Sequence, residues 1–249
     1  MKQTLFCRKN KKKSAFSLIE LSIVLIIIGL LIAGVTGGAS LIKSSELRAI
    51  MSEARSFATA VNGFYNQFNY LPGDYNTAIG GSSAGNGDGT IQYYSSTATA
   101  PTNEGRAAWF QMKGAGTLDS SIISATIAPT VVAAVPAVTT FGTNVPSSKI
   151  KNSGWDFDYN TTTLQNVVVL TGPIAVGSAT DTLVNGAFIK STAAIAPTDA
   201  LSIDAKIDDG VANAGKVRGV LVTCFNIGAY ITSTTAKVCA LSYQIDINS

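Results

Sequence analysis

An α+β protein, in which one long amino-terminal helix precedes a carboxy-terminal domain built on an antiparallel sheet, is the architecture this sequence predicts. Two patterns carry that prediction. An apolar run beginning at Ser14 passes without a break into the segment 43–69, where apolar residues recur at steps of three and four. Beyond Pro72 the composition shifts to Gly, Ser, Asn and Thr, with short β-branched stretches set between turn signals.

The helix has two halves of different character. From Leu21 to Ile42 no side chain ionises, a run of 22 residues. A helix of that length crosses a bilayer core of ~30 Å. Glu20 is the single charge at its start. A carboxylate in such a span costs roughly 2.5–3.5 kcal/mol at the bilayer centre and less near an interface, so a partner for it is expected. In the second half Leu47, Ile50, Met51, Ala54, Phe57, Ala58, Val61, Phe64, Tyr65 and Phe68 form one apolar face. Glu46, Arg48, Glu53, Arg55, Asn62 and Asn66 lie opposite, as expected for a helix packed on a domain on one side only. Leu71-Pro72-Gly73 is the expected stop.

After the helix, Asp74 to Thr99 reads as a loop with a tight turn at Gly85-Asn86-Gly87-Asp88-Gly89. A short helix is expected at Asn103–Lys113, with Trp109, Phe110 and Met112 as buried bulk. Residues 117–148 are nearly uncharged, and Pro129, Pro136 and Pro146 limit them to short, irregular or edge strands. Strands are predicted at Asn166–Thr171, Leu183–Ile189, Lys216–Thr223 and Lys237–Tyr243, and a helix at Thr198–Ile207 closed by Asp208-Asp209-Gly210. The aromatic groups Tyr70, Tyr75, Tyr93, Tyr94 and Trp155-Asp156-Phe157-Asp158-Tyr159 are expected to pack loops onto the sheet.

Charge and composition narrow the function. The formal net charge is +3, but Lys2, Arg8, Lys9, Lys11, Lys12 and Lys13 precede the apolar run with no acid among them. The remaining 12 basic and 15 acidic side chains give −3. The basic cluster therefore reads as a topology signal that holds the leader on the cytoplasmic side, with no nucleic-acid partner expected. There is no histidine, which removes Ser-His-Asp and Cys-His catalysis and every His-containing zinc site.

A basic leader, a small residue, then Phe16-Ser17-Leu18-Ile19-Glu20-Leu21 and an apolar helix: this combination resembles the amino-terminal signature of type IV pilins and type II secretion pseudopilins. The resemblance covers about residues 8–42. It implies cleavage between Ala15 and Phe16 by a prepilin peptidase, which also methylates the new amino terminus. The family's usual Gly before the cut is Ala15 here. Glu20 becomes the fifth residue of the mature chain, where its carboxylate can meet the Phe16 ammonium of a neighbouring subunit and select one helical register. The competing reading is a glutamate near the membrane surface, stabilised by the helix dipole.

The implied organisation is a leader at 1–15, a membrane-spanning or filament-core helix at 16–42, its amphipathic half at 43–71 and a pilin head at 72–249. The implied protein is a structural subunit, and its size favours a minor one. It would be anchored once in the inner membrane with its head in the periplasm, then incorporated into a pilus or pseudopilus with other pilin subunits. Gly34, Gly37 and Gly38 lie between the helix halves, and about 1 kcal/mol of weakening from each predicts local melting or bending on assembly. Facing an oxidising compartment, Cys224 and Cys239 are expected to pair, the alternative being two buried thiols. Cys7 leaves with the leader.

Two stretches offer oxygen ligands of the kind calcium takes: Asp204, Asp208 and Asp209, and the turn at Gly85–Gly89. Neither has the spacing of an EF-hand loop, and a solvated turn or helix end is the expected role. No cofactor and no enzymatic activity is expected. An alternative class is a secreted or membrane-anchored binding domain released by ordinary signal peptidase, since Gly37-Gly38-Ala39 imitates a small-residue cut site.

Overall fold

The computed structural model describes residues 17–93, 104–128, 138–174, 182–184, 187–189 and 191–245, with 182–184 and 187–189 as backbone only. The chain divides into two units, Met1–Ser44 and Ser45–Ser249. The processing residues Ala15 and Phe16, the leader with Cys7, Tyr94, Pro129 and Pro136 lie outside the described residues.

In the first unit the described chain is helical from Leu18, as the opening of α1 (Leu18–Phe68). Helix formation here needs no stop signal to be overcome, since Leu, Ile and Ala tolerate the geometry and no proline intervenes. The helix runs through Gly34, Gly37 and Gly38 in the single chain. From Leu18 to Lys43 no side chain is buried, and a window within α1 has a mean hydropathy of 2.8. It is long and apolar enough to span a membrane.

In the second unit the remainder of α1 buries Leu47, Ile50, Ala54, Phe57, Ala60, Val61 and Phe64. These follow the predicted spacing, with Ala60 added. The helix ends at Phe68, before the expected Leu71-Pro72-Gly73 stop, because Asn69 takes the left-handed conformation (φ 57°) and its N–H donates to Tyr65 O at 2.7 Å. Gly73 is then required by sterics: at φ 88°, an added Cβ would lie 2.3 Å from Glu104 O.

The sheet has four strands in the order β1 (Gly154–Asn160), β2 (Gln165–Thr171), β8 (Leu241–Gln244) and β5 (Val217–Gly219), all antiparallel. Register sets Phe157 opposite Val168 and Val168 opposite Tyr243. One face of the sheet (Trp155, Phe157, Val168, Leu170, Leu241 and Tyr243) shares a core with the buried face of α1. Phe57 is the centre of this contact, with ring centroids 5.0 Å from Trp109 and 5.6 Å from Trp155. Burying a side chain such as Phe57 stabilises the domain by roughly 1.5–3 kcal/mol.

The helix α2 (Glu104–Ala115) matches the expected helix and is almost wholly buried over its first nine residues. Its Arg106, fully enclosed, pairs with Asp156 at 2.9 Å and donates to Tyr93 Oη and Asn144 Oδ1. Burial pushes the Asp156 carboxyl up, while the guanidinium works against that rise. The helix α3 (Pro197–Ile207) also matches, with Pro197 at its first turn.

Several sequence expectations are corrected. The Trp155–Tyr159 stretch is strand β1, not loop packing. The strand expected at Leu183–Ile189 is two short antiparallel strands, β3 (Thr182–Val184) paired with β4 (Ala187–Ile189). Of Lys216–Thr223 only Val217–Gly219 pairs in the sheet, and Lys237–Tyr243 contributes from Leu241 on, since Cys239 bridges Ile195 instead. A further hairpin, β6 (Phe225–Asn226) with β7 (Ala229–Tyr230), turns at Ile227 and Gly228. No named strand falls among the described residues of 117–148, in keeping with its prolines. Tyr93 is buried and Tyr75 packs on Phe64 and Phe68, as expected for loop-anchoring aromatics.

Candidate functional site

The helix start combines two features that follow from Ser-x-x-Glu spacing. Ser17 is the residue before the helix and Glu20 is its third residue. The Ser17 N–H donates to Glu20 Oε2 at 2.9 Å, and the Ile19 N–H reaches Ser17 Oγ at 3.4 Å. This is a capping box: each side chain serves a backbone N–H that the helix itself leaves without a partner. The negative charge of Glu20 also sits at the positive end of the helix dipole.

Past Glu20 two hydroxyls of the apolar stretch are satisfied within the helix. Ser22 Oγ donates to Ile19 O at 2.9 Å and Thr36 Oγ1 to Ile32 O at 3.0 Å. Such back-bonding lets hydroxyls enter lipid without an exposed donor. Glu20 is thus the one acid at the head of the apolar span.

At the other end of the chain, Cys224 and Cys239 form a disulfide across 15 residues. It joins the start of the β6–β7 hairpin to the segment before β8. Within that hairpin Ile227 is 95% exposed at φ 48°, followed by Gly228 at φ 80°, a turn whose two central residues both need the left-handed region.

Two carboxylate groups stand out. Asp204, Asp208 and Asp209, the stretch read from sequence, each bring an oxygen within 4.8 Å of the others. Asp204 is buried and accepts the Tyr230 hydroxyl at 2.8 Å and the Gly210 N–H at 3.3 Å. Burial pushes its carboxyl up against the pull of those donors. Asp208 accepts the Lys216 and Val217 N–H groups, and Asp209 accepts Val211 N–H at 2.8 Å. These bonds tie the end of α3 to the start of β5.

The second group is Asp74, Asp88 and Glu104, again with oxygens within 4.8 Å. Sequence pointed only to Asp88. Asp74 Oδ1 and Oδ2 accept the Asp88 and Gly89 N–H groups at 2.9 Å, while Glu104 Oε1 and Oε2 accept those of Asn86 and Gln92 at 3.2 and 3.1 Å. The turn at 85–92 is folded around these two buried acids. Burial pushes Glu104 up to about 7, with Asp74 and Asp88 adding to the rise and the loop N–H groups opposing it.

Sequence reasoning picked out Glu20 as a charge and missed Ser17 as its partner, although Ser-x-x-Glu before an apolar run was the available signal. Asp74 and Glu104 carry no shared sequence signal, since 30 positions separate them.

No curated protein and no solved structure matches the chain. The family model of the prokaryotic N-terminal methylation motif matches residues 10–36, a segment containing Ala15, Phe16, Ser17 and Glu20. With that motif at the head of a long apolar helix, and a four-stranded antiparallel sheet behind it, the chain carries the signature of type IV pilins and pseudopilins on a pilin-like α+β fold.

Proposed function

We propose that the protein is a structural, non-enzymatic subunit, a minor one, of a type IV pilus or type II secretion pseudopilus. Its precursor is held in the inner membrane by the apolar half of α1, with the basic leader in the cytoplasm and the head in the periplasm. A prepilin peptidase cuts between Ala15 and Phe16 and methylates the new amino terminus. The subunit then assembles with other pilins through its helix. The observation that carries this reading is the coincidence, within residues 10–36, of the methylation motif with a wholly exposed apolar helix holding one acid.

Assembly in this reading turns on Glu20. A carboxylate transferred into a helix bundle is strongly penalised unless a cation meets it. The ammonium of a processed Phe16 on a neighbour supplies that cation, and pairing the two selects one axial stagger. The Asp204, Asp208 and Asp209 group serves as a set of backbone acceptors, and the reading requires no resident metal.

Amino-terminal sequencing and mass measurement of the mature protein test the proposal. The expected terminus is methylated Phe16, and Glu20→Ala is expected to abolish incorporation while leaving the head folded. A terminus at Ser40 would establish a secreted domain instead, and an intact Met1 a permanently anchored protein.

A further inference from the structure

Within the second unit, Ser52, Glu53, Ser56 and Phe57 share one stripe of α1, set by steps of one, three and one. With Ile122, Ser147 and Lys149 from the loops before β1 they line a cleft of about 410 Å³. That falls in the range of about 300–1,000 Å³ usual for small-molecule sites. Phe57 belongs to the core and Ile122 packs against it, so the cleft has an apolar floor. The fold leaves its hydroxyls unused. Elsewhere on α1, Ser22, Thr36 and Thr59 bond back to carbonyls of the preceding turn. Among the described residues the hydroxyls of Ser52, Ser56 and Ser147 have no such partner.

The cleft also holds an anion and a cation that do not pair. Glu53 is fixed in place: its Oε2 accepts the Trp155 indole N–H at 2.8 Å and the Ser148 hydroxyl at 2.9 Å, which leaves Oε1 for another donor. Lys149 is exposed, and among the described residues neither it nor Glu53 forms an ion pair. We infer that this cleft binds a zwitterion: a small amino acid carrying an ammonium and a carboxylate on an apolar body. The ammonium donates to Glu53 Oε1, the carboxylate meets Lys149 and the serine hydroxyls, and a branched aliphatic body rests on Phe57 and Ile122. An anion alone would sit beside the Glu53 carboxylate, and a cation alone beside the Lys149 ammonium, so each loses through like-charge repulsion what it gains. A neutral ligand would use the hydroxyls and leave both charges unmet. Only a ligand of both signs satisfies the whole lining. The inference goes beyond the assembly role and uses no part of it.

The test titrates L-leucine into the full-length protein in a non-ionic detergent. It follows the indole N–H resonance of Trp155, whose acceptor is the carboxylate that takes the ligand's ammonium. A saturating shift with a midpoint of about 1–10 mM is expected for a ligand of this size. 4-Methylpentanoate, which lacks the ammonium, and 3-methylbutylamine, which lacks the carboxylate, each leave one charge-assisted bond unmade. Both are expected to bind at least about tenfold more weakly than leucine. Lys149→Gln and Glu53→Gln are expected to weaken leucine binding by about tenfold as well, and Glu53→Gln keeps an acceptor for Trp155 so that the readout survives. Absence of a saturating shift would overturn the inference. So would either analogue binding as tightly as leucine, or Lys149→Gln binding leucine unchanged, and in each case the proposed assembly function would stand.

Discussion

The indole Nε1 of Trp155 donates to Glu53 Oε2 at 2.8 Å, so the first long strand is fastened to α1 by a charged acceptor at the edge of the aromatic core. The same oxygen accepts Ser148 Oγ at 2.9 Å. Glu53→Ala leaves the fully enclosed Trp155 without this acceptor and is expected to cost about 1–3 kcal/mol. Glu53→Gln retains an acceptor and is expected to cost less than half as much. Urea midpoints of the two variants measure the difference, and equal midpoints would show the bond to be energetically idle.

Stability of the head is expected to fall as pH rises through neutrality. Folding raises Glu104 from 4.5 to about 7, so its contribution is fully present below about pH 4.5 and is lost as pH climbs through about 7. Asp74 and Asp204 are raised as well and act with the same sign. The Glu104 effect amounts to about 3 kcal/mol at most. Thermal melts from about pH 5 to about pH 8.5 are expected to show a falling Tm, with a flatter profile for Glu104→Gln. A Tm that rises over that interval would refute the assignment.

Calcium is expected to leave the head unchanged. The oxygens of both carboxylate groups are engaged with backbone N–H groups that already organise their loops. A ligand that bound the folded state would raise Tm by mass action, so added calcium at about 1 mM is expected to shift it by less than ~1 °C. A rise of several degrees, lost in Asp208→Asn or in Asp88→Asn, would identify a metal site.

Cys224 and Cys239 close a loop of 15 residues, for which the chain-entropy estimate gives about 3 kcal/mol. Replacing both by serine is expected to lower the urea midpoint accordingly. An unchanged midpoint would mean that the neighbouring pairing of Ile195 with Cys239 holds this segment unaided.

Ile227 is a β-branched residue in left-handed backbone with its side chain in water. Asn suits that position of the turn better, so Ile227→Asn is expected to stabilise the head by about 0.5–1 kcal/mol. A lower Tm in the variant would show that the isoleucine makes a contact worth more than its strain.

The long helix was legible because its periodicity is local, and β2 and α3 because hydrophobic runs and turn residues bound them. What escaped depends on distant partners. β1 alternates Trp155, Phe157 and Tyr159 with Asp156, Asp158 and Asn160, a segment whose aromatics read as loop residues packed onto the sheet. Here the acidic face is buried, compensated at Asp156 by Arg106, 50 positions earlier. Leu183–Ile189 read as one strand because its β-branched and apolar residues run on both sides of Asn185-Gly186, whereas β3 and β4 pair with each other. Glu20 was legible as an expensive charge from composition, and as half of a cap only from its spacing to Ser17.

Between Leu18 and Lys43 not one side chain is enclosed by its own chain, and a Cβ added at Gly29, Gly34, Gly37 or Gly38 would meet nothing within 4 Å. The apolar side chains from Leu21 to Ile42 are therefore left to surroundings beyond the described residues, whether lipid or another helix. Heat, urea or protease applied to the head in water will report on Leu47 onward and stay blind to it. Two solvents judge this sequence, and each reads only its own half.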